Sequence, residues 1–156
     1  MFREMRRKQQ ALTQAECVAV LQAAKRGVLA VHGEDGYPYA FPMDCVYRDG
    51  KIYFHCAKTG HKLDALAADN RVSFCVMDEG VRVGDDWPLH FQSVIVFGRI
   101  QRVEAPEEKI LLLRELGLKY FPAPEAVETE LQKHAAAAQV LALTVDHMSG
   151  KRVKES

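Results

Sequence analysis

Three basic residues, Lys58, His61 and Lys62, stand close together where a strand pattern gives way to a helix pattern. The first turn of a helix exposes unpaired backbone N–H groups and a partial positive charge, so cations there are ordinarily disfavoured by about 0.3–1 kcal/mol each. A bound anion, most simply a phosphate, would remove that repulsion, because the N–H groups and the basic side chains would then face one negative charge. The alternative is that both lysines are solvated, that Thr59 caps the helix and that Asp64 offsets the charge. The residues alone favour neither reading.

A strand, a short helix and a second strand must position this basic loop. Residues 52–56 are rich in aromatic and branched side chains and predict a buried strand, which a turn at residues 58–60 ends. Leu63 and Leu66 have helical spacing, and residues 72–76 resume the strand pattern. The sequence therefore predicts that the basic loop leads directly into the N-terminus of a helix of about two turns.

Length and charge narrow the class of protein. The 156 residues include 21 basic and 21 acidic side chains, which fits one domain and argues against nucleic acid as a partner, since such proteins usually carry a basic excess. No apolar run approaches the ~20 residues needed to cross a bilayer, and the start of the chain has no secretory pattern, so we expect a cytoplasmic protein without a membrane partner. The cysteine and histidine spacings indicate no metal site.

We predict a flexible segment over residues 1–10, one domain over residues 11–148 and a charged, mobile tail over residues 149–156. About six strand patterns in largely antiparallel order, interrupted by short helices, predict a mainly β, α+β fold: a small antiparallel barrel with flanking helices. The strand pattern over residues 37–48 contains two prolines, which favour a sheet edge or a bulge. The pattern over residues 91–103 is apolar at successive positions, which predicts burial on both faces and, in a barrel, contact of the outer face with a helix or a second subunit.

Capping residues, proline and glycine predict where two helices begin and end. Residues 13–16 form a capping box that begins the first helix, and Gly27 is placed to end it. A later helix begins at Pro106, with Gly117 ending or fraying it. In the long loop before residue 91, Trp87 either covers a flat ligand or, as we prefer, plugs the end of the barrel.

A family resemblance joins these features. The pattern YFHxAxxGxKLxxL over residues 53–66, followed by NxVxF over residues 70–74, resembles the signature of the FMN-binding split-barrel proteins related to pyridoxamine 5'-phosphate oxidase, and within them the 5-nitroimidazole-resistance (Nim) branch. The likeness extends from residues 36–39 through residues 93–99 to residues 149–151. It implies a split β-barrel, an FMN cofactor at the subunit interface of a homodimer, and electron transfer from NAD(P)H to a small aromatic acceptor.

The resemblance also implies roles for single residues. Lys62 and His61 would neutralise the FMN phosphate, with Lys58 as a weaker candidate. His55 is carried over as a candidate catalytic proton donor or substrate contact, whereas the bland interpretation of this residue is a strand histidine bonded to a backbone carbonyl. The remaining implied flavin contacts are the backbone of His55 and Cys56 and the ring neighbours Pro42, Met43, Asp44 and Ser93.

Two other functions stay open. The chain could be a non-enzymatic module that binds flavin, deazaflavin or haem, as some split-barrel relatives do. It could instead be a pyridoxamine 5'-phosphate oxidase, although the arginine–lysine pair of that enzyme is here His61–Lys62 and its late tryptophan and arginine have no clear match after Leu141. The residues favour no acceptor among nitroaromatics, quinones and free flavin.

Overall fold

The structure, a computed structural model of the chain, describes residues 1–155. Within that part of the chain, eight strands form one antiparallel sheet, flanked by four α-helices. The strands are β1 (Gly27–His32), β2 (Pro38–Met43), β3 (Val46–Arg48), β4 (Lys51–Ala57), β5 (Arg71–Met77), β6 (Val81–Arg82), β7 (Leu89–Val103) and β8 (Ala138–Glu155). The helices are α1 (Gln14–Ala23), α2 (His61–Ala68), α3 (Pro106–Tyr120) and α4 (Pro124–His134).

The strand order closes the sheet into a barrel. The order is β2-β1-β5-β7-β8-β4-β3, with β6 added beside β7. The two edge strands, β2 and β3, follow each other in the chain and are separated only by Asp44 and Cys45. The two edges therefore meet where the chain passes from one to the other, which is the split of the predicted barrel. The single strand expected over residues 37–48 is thus two strands, and the proline-bearing part is an edge as predicted.

The interior of the barrel is packed by alternate side chains of the long strands. In β5, Val72, Phe74 and Val76 point inward and their neighbours do not. The rings of Phe54 and Phe74, both fully buried, meet edge to face with centroids 5.0 Å apart. Full burial of such a side chain contributes about 1.5–3 kcal/mol, so this core fixes the phase of β4 and hence which of its residues point outward.

A second apolar cluster covers part of the outer face. Tyr53 of β4 and Val140 of β8 pack there with Leu112 and Leu113 of α3. Because side chains alternate along a strand, His55 points to the same outer face as Tyr53. It lies beyond the second cluster, and its side chain is exposed.

The start of α1 confirms one half of the predicted capping box. The Thr13 hydroxyl accepts a hydrogen bond from the Glu16 N–H at 3.2 Å. The Glu16 carboxylate does not return to Thr13 but accepts from Arg152 at 3.2 Å. The helix ends at Ala23 rather than at Gly27, which is the first residue of β1, where a Cβ would come within 2.4 Å of the Phe74 ring.

Strands β7 and β8 are longer and more exposed than the sequence predicts. Residues 149–155 continue β8 and pair with the first part of β7, so the expected mobile tail is instead a strand. The interior positions of β7 alternate, and on the outer face Ile95 is 43% and Phe97 is 38% exposed, so burial on both faces is wrong for the single chain. The register shifts at Gly98, where a Cβ would lie 2.2 Å from the Thr144 carbonyl oxygen. A glycine inside a strand commonly marks such a bulge and close backbone approach.

Two further expectations are corrected. Trp87 is 81% exposed and plugs nothing. Gly117 does not end α3, which continues to Tyr120; it lies against Val127 of α4, where a Cβ would meet a valine methyl at 2.9 Å. Within residues 1–155, no helix has the length and apolar character needed to span a membrane.

Candidate functional site

The basic loop joins the end of β4 to the start of α2. Gly60 is the N-cap of α2 and has φ 141°, in the region that favours glycine, and no side chain caps the helix. The interpretation in which Thr59 is the cap is therefore wrong. The first helical hydrogen bond runs from the Asp64 N–H to the Gly60 carbonyl at 3.1 Å, so the N–H groups of the three intervening residues precede the helical ladder and are available to a ligand.

Two aromatic side chains of β2 orient the basic residues. The Lys62 Nζ lies 4.8 Å from the centroid of the Phe41 ring, a cation–π contact. The His61 ring lies 4.2 Å from the Tyr39 ring. In the part of the chain that the structure describes, the ion pairs include neither Lys58 nor Lys62. Asp64 therefore does not neutralise them through an ion pair, and the positive charge of the loop has no acidic partner among the described residues.

A small concavity of about 210 Å³ lies in front of this helix end. Its lining brings together three of the predicted contacts, Cys56, His61 and Lys62, with Gly60 between them; Lys58 is not part of it. The volume is several times the roughly 30 Å³ that one water occupies but below the roughly 300–1,000 Å³ of whole-ligand pockets. The concavity thus fits one phosphate group, and a flavin ring would lie outside it.

The surroundings of Cys56 favour the neutral thiol over the reactive thiolate. Burial raises the pKa of the Cys56 thiol above its ordinary value, and the nearby charge of Lys62 only partly offsets that rise. A neutral thiol is a poor nucleophile. Cys56 is therefore suited to line the concavity and not to react.

A larger groove opens beside the loop, between α3, α4 and the ends of β4 and β8. Its volume is about 630 Å³, and His55 lies in its wall. Among residues 1–155, the His55 ring forms no hydrogen bond with a backbone carbonyl, so the bland interpretation of this histidine finds no partner. The groove and the concavity adjoin, since Ala57 lines the concavity and its strand partner Ala138 lines the groove.

The other predicted ring neighbours lie elsewhere. Pro42 is exposed on the outer face, but the Met43 side chain is 6% exposed and belongs to the core, so only its backbone can meet a ligand. Asp44 accepts from Arg26 at 2.9 Å. Ser93 lies on the outer face of β7, two residues from Ile95 and opposite Met77 of β5. Three strand spacings of ~4.8 Å separate β2 from β7, so one chain does not bring Pro42 and Ser93 into contact.

Sequence reasoning missed the residues that fix the break between β2 and β3. Lys119 Nζ donates to the carbonyls of Ala24 at 2.6 Å and Cys45 at 2.7 Å. The Tyr120 hydroxyl donates to the Lys25 carbonyl and accepts from the Cys45 N–H at 2.9 Å. Burial raises the pKa of Tyr120 to about 12 and lowers the pKa of Lys119 from its ordinary value. No local pattern indicates this contact, because its partners lie 74 or more residues away.

A split barrel with a phosphate-sized basic concavity at a strand–helix loop defines a recognisable class of protein. The family model described as pyridoxamine 5'-phosphate oxidase matches residues 13–152, so this chain belongs to that family, as the pattern at residues 53–66 predicted. A search of curated protein sequences finds no match.

Solved structures show the same fold. A protein of Bacteroides thetaiotaomicron that carries the provisional name 5-nitroimidazole antibiotic resistance protein superposes with a TM-score of 0.78 at 20% identity, over 93% of this chain and 87% of that one. The FAD and haem binding protein of Mycobacterium smegmatis gives 0.75 at 24% identity, over 93% and 73%. The flavocytochrome Anf3 of Azotobacter vinelandii gives 0.77 at 21% identity, over 96% and 72%. At these identities the likeness concerns the fold.

Proposed function

We propose that this chain is an FMN-dependent oxidoreductase in which the loop at residues 58–62 binds the flavin phosphate. The observation that carries the proposal is the concavity at the N-terminus of α2, which Lys62 and His61 line without an acidic partner among the described residues. Backbone N–H groups, the helix dipole and a lysine are the donor set that a phosphate prefers. The names of two relatives, an FAD and haem binding protein and a flavocytochrome, support a flavin cofactor without specifying FMN.

The residues then have simple roles. Bound FMN would supply the hydride chemistry, with NAD(P)H as donor: the donor loses a hydride, and the acceptor gains two electrons and two protons, one of them from solvent. Lys62 and His61 hold the phosphate, and Lys58 adds long-range attraction. The backbone at His55 and Cys56 meets the ribityl chain, and the His55 imidazole holds a proton at a ring nitrogen for the acceptor.

The proposed enzyme is a cytoplasmic homodimer with the flavin between subunits. The outer face of β1, β5 and β7 carries exposed apolar side chains, with Val28 at 43%, Ile95 at 43% and Met77 at 57% exposure. Contiguous apolar surface of this kind is typical of interfaces. Because Ser93 lies on this face and far from Pro42 of its own chain, its contact with the flavin ring comes from the partner subunit.

A haem-binding module is the second candidate. It is favoured by two histidines, His55 and His134, in the wall of one apolar groove, and by the haem named for one relative. The groove lining contains no lysine or arginine to pair with haem propionates, so we rank this function second. The absorption spectrum of the purified protein separates the two, since flavin gives two bands in the blue and near ultraviolet and haem gives a Soret band. Anaerobic bleaching by NADH or NADPH then tests turnover.

Replacing Lys62 with glutamate tests the phosphate site. The change removes a charge-assisted contact worth about 1.5–3 kcal/mol and adds repulsion, so FMN affinity in a fluorescence titration should fall at least about 100-fold. Lys62→Met keeps the packing on Phe41 and should show a smaller loss. Lys51→Glu, an exposed lysine at the start of β4, is the matched control and should bind FMN as the wild type does. An affinity of Lys62→Glu within threefold of wild type refutes the proposed site.

A further inference from the structure

The groove between α3 and α4 has the size and lining of a binding site for a small molecule. Its volume of about 630 Å³ falls within the roughly 300–1,000 Å³ of small-molecule pockets. Most of its wall is aliphatic or aromatic, and the principal apolar contributors are Leu113, Phe121, Val127, Leu131 and Ala135. The polar side chains of the lining are those of His55, Thr129, Glu130 and His134.

We infer that this groove binds the electron acceptor, and that the acceptor is a neutral, largely apolar aromatic molecule. The inference rests on the proposed function, which leaves open where the acceptor binds and whether it is charged. It separates this chain from an oxidase of phosphate esters, although the family carries the name of such an enzyme.

The lining disfavours an anionic occupant, because it offers no permanently charged cation. None of the residues that line the groove is a lysine or an arginine. The charged group at its margin is Glu130, whose carboxylate lies 3.5 Å from the His134 ring. A phosphate or carboxylate in the groove would lose its hydration without gaining a counter-charge, which is costly in an apolar setting. A neutral ring has no such cost.

Helix packing keeps the groove open. Gly117 allows α3 and α4 to approach at one point, where a Cβ would lie 2.9 Å from a Val127 methyl. Small side chains, Ala126, Ala135 and Ala138, line the space away from that contact. Phe121 at the end of α3 is 61% exposed and offers a ring face to a flat molecule.

The groove lies next to the loop that would hold the flavin phosphate. Ala138, in the groove, pairs with Ala57, in the phosphate concavity, and paired strands lie ~4.8 Å apart. His55 lies in the groove wall and directly precedes Cys56 of the concavity. An acceptor in the groove therefore has the His55 imidazole beside it and the cofactor loop one strand away.

Binding of menadione, a neutral naphthoquinone, compared with a naphthoquinone sulfonate tests the inference by equilibrium dialysis with the flavin-loaded protein. We expect menadione to bind at least tenfold more tightly than the sulfonate. Ala126→Phe places a ring in the groove and should weaken menadione binding at least tenfold without changing flavin content. Ala136→Phe adds the same ring at an exposed alanine outside the groove and should change it less than twofold.

Each contrary result has a defined meaning. Equal or tighter binding of the sulfonate, or unchanged menadione binding by Ala126→Phe, overturns the inference. So does a protein in which Ala126→Phe shifts the dimer dissociation constant and menadione does not bind, because the groove is then a subunit contact. Thr129→Phe fills the groove from an exposed position and replaces Ala126→Phe if that variant fails to fold. Repeating the dialysis with flavin-free protein separates a failed groove from a failed flavin site, which Lys62→Glu tests independently.

Discussion

Replacing Tyr120 with phenylalanine removes one hydroxyl that joins three segments of the chain. The hydroxyl links the end of α3 to the Lys25 carbonyl before β1 and, at 2.9 Å, to the Cys45 N–H in the break between β2 and β3. Cys45 is 1% exposed, so water cannot reach its N–H when the hydroxyl is lost. The Lys25 carbonyl belongs to an exposed residue and can be rehydrated.

The expected cost follows from this difference. A buried donor left without a partner costs about 1–3 kcal/mol, whereas the rehydrated Lys25 carbonyl costs little. Lys119 still donates to the Cys45 carbonyl, so the break keeps one of its supports. We therefore expect a loss of about 2 kcal/mol in the free energy of unfolding, which lowers Tm by about 4–8 °C for a chain of this size.

Urea unfolding of the wild type and Tyr120→Phe measures the loss as a shift of the midpoint at an unchanged slope. Tyr37→Phe is the control, because Tyr37 is 77% exposed and its removal should matter by less than about 0.5 kcal/mol. A loss below about 0.5 kcal/mol for Tyr120→Phe would show that the hydroxyl does not hold the break between β2 and β3.

Two further predictions concern the pH dependence of stability at Tyr120 and the bulge of β7 at Gly98. Because burial raises the pKa of Tyr120 from 10.0 to about 12, its contribution to stability is complete below pH 10 and is lost as the pH rises towards 12; the difference between wild type and Tyr120→Phe in urea unfolding should shrink over that interval. Gly98→Ala should leave no soluble folded protein by circular dichroism, since its Cβ would lie 2.2 Å from the Thr144 carbonyl. Gly36→Ala has open space and should cost only the positive-φ penalty of about 1–2 kcal/mol.

The parts of the fold that depend on local pattern could be predicted from the sequence. The strand, basic loop and helix over residues 51–68 are encoded by side-chain periodicity and Gly60, and the family follows from the same residues. The capping role of Thr13 is equally local, whereas Glu16 finds Arg152, 136 positions later. That partner depends on the tertiary structure and leaves no periodic signal.

The C-terminal extension of β8 was not predicted, because its sequence does not alternate between apolar and polar residues. Residues 149–155 extend β8 beyond the barrel, where they pair with residues 89–95 of β7. Among residues 149–154, Gly150 is buried and the side chains of the other residues are half-buried or exposed. The sequence of this segment therefore shows no apolar face and resembles a polar tail. The expectation that Gly117 ends α3 was wrong. A glycine inside a helix costs only about 1 kcal/mol, and here its missing side chain permits contact with Val127 of α4.

Part of the candidate site could be predicted from local sequence, whereas another part depends on tertiary packing. Cys56, His61 and Lys62 meet in the concavity because they are neighbours in one loop. The groove that holds His55 depends on how α3 and α4 pack over β4 and β8, and no pattern in any one of these elements predicts it. Met43 points inward because side chains alternate along β2, which places it on the same face as the buried Phe41.

In the proposed homodimer, the outer face of the sheet would connect the loop to the second subunit. The row Pro42, Val28, Cys75 and Ile95 crosses from β2 to β7 by paired residues, and its first member follows Phe41, over which Lys62 lies. A cofactor whose phosphate occupies the concavity can therefore extend from β2 onto an apolar face that the single chain leaves exposed. Since the same face holds Ser93, covering it with a second copy would bury that apolar surface and bring the partner's serine to the flavin ring in one step.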